Sequence, residues 1–487
     1  MTTEVVDVII AGAGISGIGM AVHLKQQCPN RSFALIEQRD DIGGTWSLFQ
    51  YPGVRSDSDM HTLGFEFEPW TDENTIADGA SIMSYLTRIV KKYGIGKHIR
   101  FGNKMTKASW SSKDALWTVT VESKLGDKQQ MRGRFLYMGT GYYDYEQGHN
   151  PIFEGRSDFK GQIVHPQFWP KDIEYTSKKI VVIGSGATAV TLLPSLAKTA
   201  DHVTMLQRTP TWYAVRPSKD IIANGLRKII PEEWAYRFIR KRNVLLQNFV
   251  YKRARKNPAR ITKFLMKGVR KALGSEPDSV NFTPPYKPWE QRLCLVPDGD
   301  MFTAMREGRA SIVTDHIERF TQAGIQLTSG KHLEADIIVT ATGLKLAMAG
   351  KVEFTIDDVA TDFAEHFYYK GCMFANVPNM AIVFGYLNAS WTLKADIVSR
   401  YVCRMLNHME ANELSIANPQ LDAPEALEEE ALFDFSSGYV QRSNDLLPKQ
   451  STTMPWRLTQ DYLFERKVLL KGPIDDGVIK FSKHNKN

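Results

Sequence analysis

Residues 5–17 read VVDVIIAGAGISG, and this stretch decides the fold. Val5–Ala11 is an almost wholly apolar run, as expected of a parallel strand that is covered on both faces. The glycine-rich turn is followed by Ile18–Gln26, which has helical spacing, and by a second apolar run at Phe33–Glu37. This order of strand, turn, helix and strand predicts a Rossmann-like nucleotide-binding unit.

The three glycines of this turn each have a separate physical reason. Gly12 permits the tight bend, Gly14 lets the backbone approach a pyrophosphate, and Gly17 lets the helix pack on the strand. The positive end of the helix then faces the phosphates. Glu37 stands at the end of the second strand, where a carboxylate can accept hydrogen bonds from ribose hydroxyls. The unit therefore predicts a dinucleotide site, and we expect it to bind FAD tightly.

A similar unit recurs in the middle of the chain. Its strand, G-x-G-x-x-A turn, helix and second strand lie at Lys179–Ile183, Gly184–Ala189, Val190–Lys198 and Val203–Arg208. The second strand ends in Arg208 and Thr209 rather than in an acid. A guanidinium binds a 2′-phosphate that a carboxylate would repel, so this site is predicted to bind NADPH in preference to NADH.

The length of the chain and its two units together predict the domain organisation. A chain of 487 residues is expected to form two or three domains. Between about 215 and 290 the strand pattern stops, and basic and aromatic residues recur at helical spacing. We therefore predict an α/β fold with two Rossmann-like dinucleotide-binding domains, the second inserted in the first. The FAD domain would comprise residues 1–145 and 341–487, and the NADP domain residues 146–340, with a helical insertion at about 215–290.

The cysteines and the hydropathy pattern exclude several classes of protein. The four cysteines show neither a C-x-x-C pair nor a metal-binding spacing, which predicts free thiols in a reducing cytosol and no metal site. No run approaches the roughly 20 apolar residues of a membrane-spanning helix. Glu4 and Asp7 interrupt the apolar N-terminus, and no basic segment precedes it. We therefore expect no secretory leader and a cytoplasmic location.

The net charge of +7 is concentrated in one segment. Between Arg237 and Lys271 there are thirteen Lys and Arg residues and no Asp or Glu. Three interpretations arise: a solvated helical face near the NADPH phosphates, a peripheral contact with an anionic membrane, and a nucleic-acid site. Interleaved apolar side chains, among them Phe238, Phe249 and Phe264, keep the membrane interpretation open. We expect no nucleic-acid partner.

Two further patterns carry a resemblance to a known family. Gly43-Gly44-Thr45-Trp46 is followed by Tyr51-Pro52-Gly53 and Asp57, and Phe159-x-Gly161-x-x-x-His165-x-x-x-Trp169-Pro170 precedes the second unit. Taken alone, the first pattern is compatible with a structural loop and the second with an interdomain linker that contains a structural histidine. Together with the two glycine turns, they resemble the fingerprints of the type I Baeyer–Villiger monooxygenases. The resemblance runs essentially from end to end and, in segments such as NASWTLKAD at 388–396, points to the ethionamide-activating bacterial members of that family.

The resemblance implies an enzyme that uses FAD, NADPH and O₂ to insert one oxygen atom beside the carbonyl of a ketone, which gives an ester or a lactone. It places the catalytic arginine at Arg292, in Gln291-Arg292-Leu293-Cys294, and gives Asp57 the role of orienting it. Reduced flavin and O₂ would form a C4a-peroxide, and a fixed cation would keep that peroxide anionic and stabilise the developing oxyanion. Gln291 departs from the family, which often has a lysine at that position.

The same resemblance leaves a side activity and a rival function open. Oxidation of sulfides or thioamides at sulfur is the expected side activity. The rival is a flavin-containing N- or S-monooxygenase without Baeyer–Villiger activity, and Trp169-Pro170 and the Arg292–Asp57 pair argue against it. Trp391 is expected to begin a helix whose N-terminal amides face the flavin ring. The residues expected to contact the cofactors are Gly12, Gly14, Ser16, Gly17, Glu37, Gly44, Thr45, Trp46, Asp57, Met105, Gly184, Ser185, Gly186, Thr188, Ala189, Arg208, Thr209 and Trp391.

Overall fold

A computed structural model of the chain describes residues 5–433 and 438–484. Glu4, on which part of the argument against a secretory leader rests, lies outside the described residues. Within the described part of the chain, no helix is both long enough and apolar enough to cross a membrane. The structure confirms an α/β fold in which each of two sheets carries one of the glycine turns.

The first part of the chain forms most of the larger sheet. The predicted strand is present, and the helix after the turn begins at Ile15, earlier than predicted, because Gly14 already caps it. The strands are β1 (Val5–Ala11), β2 (Phe33–Ile36), β3 (Ile99–Arg100), β4 (Asn103–Ser111), β5 (Leu116–Ser123), β6 (Lys128–Met138) and β7 (Tyr143–Gly148). The helices are α1 (Ile15–Gln27), α2 (Thr45–Leu48), α3 (Met60–Leu63) and α4 (Gly79–Lys92).

The larger sheet is mixed, with a parallel centre. Strand β1 lies between β2 and β6 and is parallel to both, and its register pairs Ile9 with Ala34 on one side and with Leu136 on the other. Strands β4, β5 and β6 form an antiparallel meander beside this centre. The glycine turn follows β1 directly, so it opens at the carboxyl end of the parallel strands, where α/β proteins bind their ligands.

The middle part of the chain forms the second Rossmann-like unit and its helical insertion. Its strands are β8 (Gln162–Val164), β9 (Lys179–Ile183), β10 (His202–Gln207), β11 (Tyr213–Arg216), β12 (Cys294–Pro297), β13 (Ala310–Thr314), β14 (Ile317–Thr321), β15 (Gly324–Leu327), β16 (His332–Glu334) and β17 (Ile337–Thr340). Its helices are α5 (Ala187–Leu196), α6 (Ile221–Leu226), α7 (Glu232–Lys256), α8 (Pro258–Leu273), α9 (Ser279–Phe282) and α10 (Asp300–Arg306).

The second sheet has five parallel strands in the order β13-β10-β9-β17-β8. The helical insertion leaves after β11 and returns at β12, and these two strands pair in parallel. The insertion helices α6 to α9 lie within the predicted range of about 215–290. Pro231 precedes α7 and Pro258 opens α8, positions at which a proline removes no internal helical hydrogen bond.

The last part of the chain returns to the larger sheet. Strand β19 (Glu353–Ile356) pairs in parallel with β4, and β23 (Met380–Ile382) pairs in parallel with β6, so the second sheet is nested within the first as predicted. The residue bounds of the two domains stay a prediction. The strands are β18 (Leu344–Leu346), β19 (Glu353–Ile356), β20 (Val359–Thr361), β21 (Tyr368–Tyr369), β22 (Met373–Phe374), β23 (Met380–Ile382), β24 (Ile416–Pro419), β25 (Glu429–Glu430), β26 (Gln450–Ser451) and β27 (Ile479–Ser482), and the helices are α11 (Trp391–Ala411), α12 (Gly438–Gln441) and α13 (Tyr462–Lys471).

Apolar side chains cover both faces of each sheet. On β1, Val8 and Ile10 belong to one buried cluster and Ile9 to another, because successive side chains of a strand point to opposite faces. On β9, Val182 belongs to one buried cluster and Val181 to another, for the same reason. The glycine turns therefore stand on rigid strand ends.

One arginine of the basic segment 237–271 is buried. Arg240 donates hydrogen bonds to the backbone oxygens of His61 and Gly64, each over 2.7 Å, and to the carboxylate of Asp396 over 3.2 Å. Asp396 also forms a hydrogen bond with His23, so this cluster joins α7 to α1 and α11. The interpretation of the segment as a solvated helical face is wrong at Arg240. This side chain is buried, and the buried carboxylate of Asp396 compensates its charge.

Candidate functional site

A cleft of about 970 Å³ runs between the two glycine turns. Gly12 and Gly139, which follow β1 and β6, line one side of it, and Gly184 and Arg208, which follow β9 and β10, line the other. Its volume is at the upper end of the range for ligand pockets. Because the carboxyl ends of both parallel sheets meet here, this cleft is the candidate cofactor and substrate site.

The first glycine turn forms a cradle that fits a pyrophosphate. Gly12 has a φ of +94°, and a Cβ there would lie 2.7 Å from the carbonyl oxygen of Gly139. A Cβ on Gly17 would lie 1.8 Å from the carbonyl oxygen of Gly12, so α1 can pack this closely only with glycine at that position. A Cβ on Gly14 would meet Gly44 at an ordinary 3.6 Å, so a side chain there would fill the cradle without clashing with the protein.

Glu37 braces this turn from the end of β2. One carboxylate oxygen accepts a hydrogen bond from the Ala13 amide over 2.8 Å, and the other accepts one from the Arg39 amide over 2.9 Å. Burial raises the pKa of the Glu37 carboxyl, against the opposing effect of these hydrogen bonds. Each carboxylate oxygen can accept a further bond, so the predicted contact with ribose hydroxyls is compatible with this bracing role.

An aromatic wall stands beside the first turn. Trp391 begins α11 as predicted, and its indole nitrogen donates a hydrogen bond to the hydroxyl of Ser16 over 2.8 Å. The Trp391 ring stacks on Tyr142, with ring centroids 5.1 Å apart. Burial is the main reason that the pKa of Tyr142 lies well above its usual value, so the phenol stays neutral. Stacked neutral rings at a helix N-terminus suit a planar, electron-accepting ligand.

The second glycine turn fits a second phosphate group. Gly184 has a φ of +131°, and a Cβ on Gly186 would meet no neighbouring atom, which leaves the space beside that turn open. The hydroxyl of Ser185 donates to the backbone oxygen of Thr209 over 2.9 Å, which ties the turn to the end of β10. Arg208 is exposed to the cleft there, and none of the described acidic residues forms an ion pair with it.

Asp57 and Arg292 come together in the cleft from distant parts of the sequence. Asp57 lies on the loop between α2 and α3, and Arg292 lies just ahead of β12. The Asp57 side chain is open to the cleft, and the pKa of its carboxyl is raised because the surrounding protein atoms limit its hydration, which outweighs the opposing fields of Arg292 and Arg55. The two side chains are therefore electrostatic neighbours, as the Arg292–Asp57 prediction requires.

Two further contacts define the surroundings of Arg292. Its Nη2 donates a hydrogen bond to the backbone oxygen of Tyr386 over 3.2 Å. Cys294 lies next to the same site, and burial raises the pKa of its thiol to about 12. A thiol with so high a pKa is a poor nucleophile at neutral pH.

The predicted interdomain pattern lies behind the cleft rather than in its lining. Phe159 is buried in the core of the second sheet. A Cβ on Gly161 would lie 2.2 Å from a backbone oxygen, and one on Gly148 would lie 2.1 Å from the ring of His165. The pKa of His165 is lowered, mainly by burial, and Trp169 packs against the core beside α5. These side chains fix the link between the two sheets and do not contact the cleft.

The structure brings nearly all of the predicted cofactor residues into this one cleft. Gly17 and Ala189 are buried in α1 and α5 behind their turns and do not line it. Sequence reasoning missed Tyr142, Tyr386 and Arg442, which carry no motif. The predicted residues that line the cleft are Gly12, Gly14, Ser16, Glu37, Gly44, Thr45, Trp46, Asp57, Met105, Gly184, Ser185, Gly186, Thr188, Arg208, Thr209, Arg292 and Trp391.

Comparison with known families agrees with this arrangement. Residues 6–409 match a family described as FMO-like, flavin-binding monooxygenase-like. The chain belongs to this flavin monooxygenase family. This match confirms the predicted enzyme as a flavin monooxygenase. The monooxygenase is 49% identical to the FAD-containing monooxygenase EthA of Mycobacterium tuberculosis, over 99% of its own length and 98% of EthA. It is 48% identical to the probable FAD-binding monooxygenase AlmA of an Acinetobacter species, over 98% of its own length and 96% of AlmA.

Solved structures share the fold of this monooxygenase. An oxidised steroid monooxygenase bound to NADP aligns with a TM-score of 0.79 over 98% of this chain and the whole of that one, at 20% identity. An open cyclohexanone monooxygenase aligns with a TM-score of 0.77 over 99% of this chain, at 19% identity. At such low identities the likeness shows the fold alone, and it confirms the predicted nested arrangement of two Rossmann-like domains.

Proposed function

We propose that this monooxygenase uses FAD and NADPH to insert one atom of O₂ beside the carbonyl of a small ketone, in a Baeyer–Villiger reaction. The position of Arg292 carries the proposal, because this arginine lines the cleft into which both glycine turns open. Attack on a ketone carbonyl places negative charge on oxygen, and a fixed cation stabilises that charge. Oxidation at nitrogen or sulfur creates no such oxyanion and therefore has less need of the arginine.

The first turn, Glu37 and the aromatic wall would hold FAD. Gly14 and Glu37 both line the cleft, so the N-terminus of α1 would face the pyrophosphate and Glu37 would accept hydrogen bonds from the ribose. Trp391 and Tyr142 provide the neutral surface for the flavin ring. When bound, FAD supplies the redox chemistry of the reaction, since it accepts a hydride from NADPH and in its reduced form activates O₂. The similarity to EthA, an FAD-containing enzyme, and to AlmA, a probable FAD-binding one, supports this cofactor.

The second turn and the end of β10 would hold NADPH. The open space beside Gly186 would admit the pyrophosphate, and Arg208 and Thr209, which line the cleft, would bind the 2′-phosphate. A guanidinium binds phosphate with two parallel, charge-assisted hydrogen bonds, which an NADH ribose cannot use. The steroid monooxygenase that shares this fold was solved with NADP bound, which supports this cofactor.

Arg292 would act on the substrate by electrostatics. Its guanidinium stays protonated at any physiological pH, so it offers a permanent positive charge to the oxygen of the ketone carbonyl. The backbone oxygen of Tyr386 fixes one of its nitrogens, and the Asp57 carboxyl lies within its field. A donor whose position is fixed before the reaction costs little reorganisation when the charge develops.

Product analysis tests this proposal directly. The FAD-loaded enzyme is incubated with NADPH, 2-octanone and ¹⁸O₂, and the products are identified by mass spectrometry. We expect hexyl acetate that carries one ¹⁸O atom, and we expect sulfoxide from a parallel incubation with thioanisole as the side activity. Catalase in every incubation removes hydrogen peroxide that could oxidise the substrates without enzyme. Labelled sulfoxide without ester from any ketone of a chain-length series would replace the proposal with N- or S-oxygenation.

A second proposal concerns the helical insertion, which we infer makes a peripheral contact with an anionic membrane. Trp234, Phe238, Leu245 and Phe249 are all exposed and recur at helical spacing along α7, and Phe264 on α8 is 72% exposed. The same helices carry the basic segment 237–271. Apolar side chains that project among lysines and arginines suit the headgroup region of anionic lipid.

Vesicle co-sedimentation tests the membrane contact. We expect the protein to bind phosphatidylcholine vesicles only when they contain phosphatidylserine, and to be released by high salt. Replacement of both Phe238 and Phe249 by alanine should abolish this binding. The matched control is Val359→Ala, which removes an exposed apolar side chain from β20, far along the chain from the insertion. Failure of the unmodified protein to bind anionic vesicles at low salt would overturn the contact.

A further inference from the structure

A second arginine that no sequence motif marks lines the same cleft as Arg208. Arg442 follows α12 in the last part of the chain, and it lines the same cleft as Arg208. A Cβ built on Gly343, in the loop after β17, would lie 4.0 Å from Nη2 of Arg442. An arginine from the last part of the chain therefore reaches the carboxyl edge of the second sheet, next to the loop that faces the second glycine turn.

The two arginines lack counter-ions of their own. Within residues 5–433 and 438–484, no acidic side chain forms an ion pair with either Arg208 or Arg442. Asp315 is an acid that also lines the cleft, but its carboxylate already accepts hydrogen bonds from the His316 amide over 2.7 Å and from the Thr328 hydroxyl over 2.9 Å. The pKa of Arg442 is lowered by loss of water and by the field of Arg208. Two unpaired guanidiniums in one cleft are stabilised by an anion between them.

We propose that Arg442 and Arg208 together bind the 2′-phosphate of NADPH. This inference rests on the proposed use of NADPH. A phosphate monoester carries a charge of about −1.5 to −2 at neutral pH, which two guanidiniums neutralise and one does not. Arg208 directly follows strand β10 of the second sheet, and Arg442 lies in the last part of the chain. Bound NADPH would therefore link the second sheet to the last part of the chain across the cleft.

Binding of NADP⁺ and NAD⁺ to the FAD-loaded protein tests this inference, and titration calorimetry measures it without turnover. We expect Arg442→Ala to weaken NADP⁺ binding on the order of 10- to 100-fold, the usual loss for one hydrogen bond to a charged group. NAD⁺ binding should change less than about twofold, because it has no 2′-phosphate. Arg442→Lys should retain part of the affinity, since it keeps the charge and loses the planar fork. Arg457→Ala is the matched control, because Arg457 pairs with Glu430 and does not line the cleft.

The outcomes separate this inference from the proposed function. Equal losses for NADP⁺ and NAD⁺ in Arg442→Ala would overturn the phosphate contact, and so would unchanged affinities for both, while the use of NADPH would stand. A wild-type protein that binds NAD⁺ as tightly as NADP⁺ would overturn the proposed coenzyme itself. The fragment 2′,5′-ADP isolates the phosphate contact further, and it should lose affinity in Arg442→Ala by the same factor as NADP⁺.

Discussion

Nη2 of Arg292 donates a hydrogen bond to the backbone oxygen of Tyr386 over 3.2 Å. Arg292 ends the segment of the helical insertion, and Tyr386 lies in the loop that leads to α11, so this bond crosses between the two parts of the chain that form the cleft. The phenol of Tyr386 donates to Oε2 of Glu465 over 2.6 Å, and Lys394 donates to the same oxygen over 2.7 Å. A buried ion pair therefore holds the backbone that positions the proposed catalytic guanidinium.

Glu465→Gln should destabilise the folded protein by about 3–5 kcal/mol, because it leaves the charge of Lys394 buried without a partner. Lys394 is fully buried, so solvent does not screen this charge. The free energy of unfolding in urea measures the loss. The double variant Lys394→Met with Glu465→Gln should recover most of the stability, because it removes both charges. A single variant as stable as the wild type would show that the pair does not hold this loop.

Gly14→Ala and Gly17→Ala should fail in different ways, although each adds one methyl group to the same turn. The Cβ on Gly17 would lie 1.8 Å from a backbone oxygen, so Gly17→Ala should yield little folded protein. The Cβ on Gly14 meets protein atoms only at 3.6 Å, so Gly14→Ala should fold normally and lose FAD, since the methyl group fills the cradle. Circular dichroism and the flavin absorbance of the purified variants measure the two effects. Full flavin content in Gly14→Ala would show that the pyrophosphate does not lie against this glycine.

Asp57→Asn should change how the stability of the flavin-free protein depends on pH. The pKa of Asp57 is raised in the folded state, so the folded protein binds this proton more tightly than the unfolded chain does. Stability is therefore lost as the pH rises from the usual pKa of an aspartate through the raised value. Asparagine cannot ionise and so removes this loss. The variant should therefore become more stable than the wild type as the pH rises from the usual pKa of an aspartate to the raised pKa, and it should show no such gain at lower pH. Urea midpoints measured from acidic to neutral pH give the comparison, and parallel profiles for the two proteins would contradict the raised pKa.

The fold could be predicted from local pattern because its decisive features are local. The run Val5–Ala11 and its glycine turn need only the next two elements to form a Rossmann-like unit, and the structure contains that unit with the first strand as predicted. The apolar pattern predicts a start of α1 at Ile18, later than the observed start at Ile15, because the turn residues that open the helix have no apolar periodicity. The anchoring of α7 through Arg240 could not be predicted, since its partner Asp396 is far away in the sequence.

The candidate site was less accessible to sequence reasoning, because its chemistry depends on contacts across the chain. Arg292 has no local pattern and was found through family resemblance alone. Tyr386 acts through a backbone oxygen, which any residue type would provide, so its sequence identity carries no signal. Arg442 is an isolated arginine near the end of the chain, and only the folded structure places it in the same cleft as Arg208 and within its field.

The most direct test of the central claim measures the two half-reactions separately in Arg292→Ala and in the wild type. Anaerobic mixing with NADPH follows flavin reduction by absorbance, and aerobic incubation with 2-octanone follows the yield of ester per NADPH consumed. We expect flavin reduction within about threefold of the wild type and an ester yield lower by at least about 100-fold, the usual loss when a group that stabilises an oxyanion is removed. An ester yield equal to that of the wild type would contradict the role of Arg292 and, with it, the proposed mechanism.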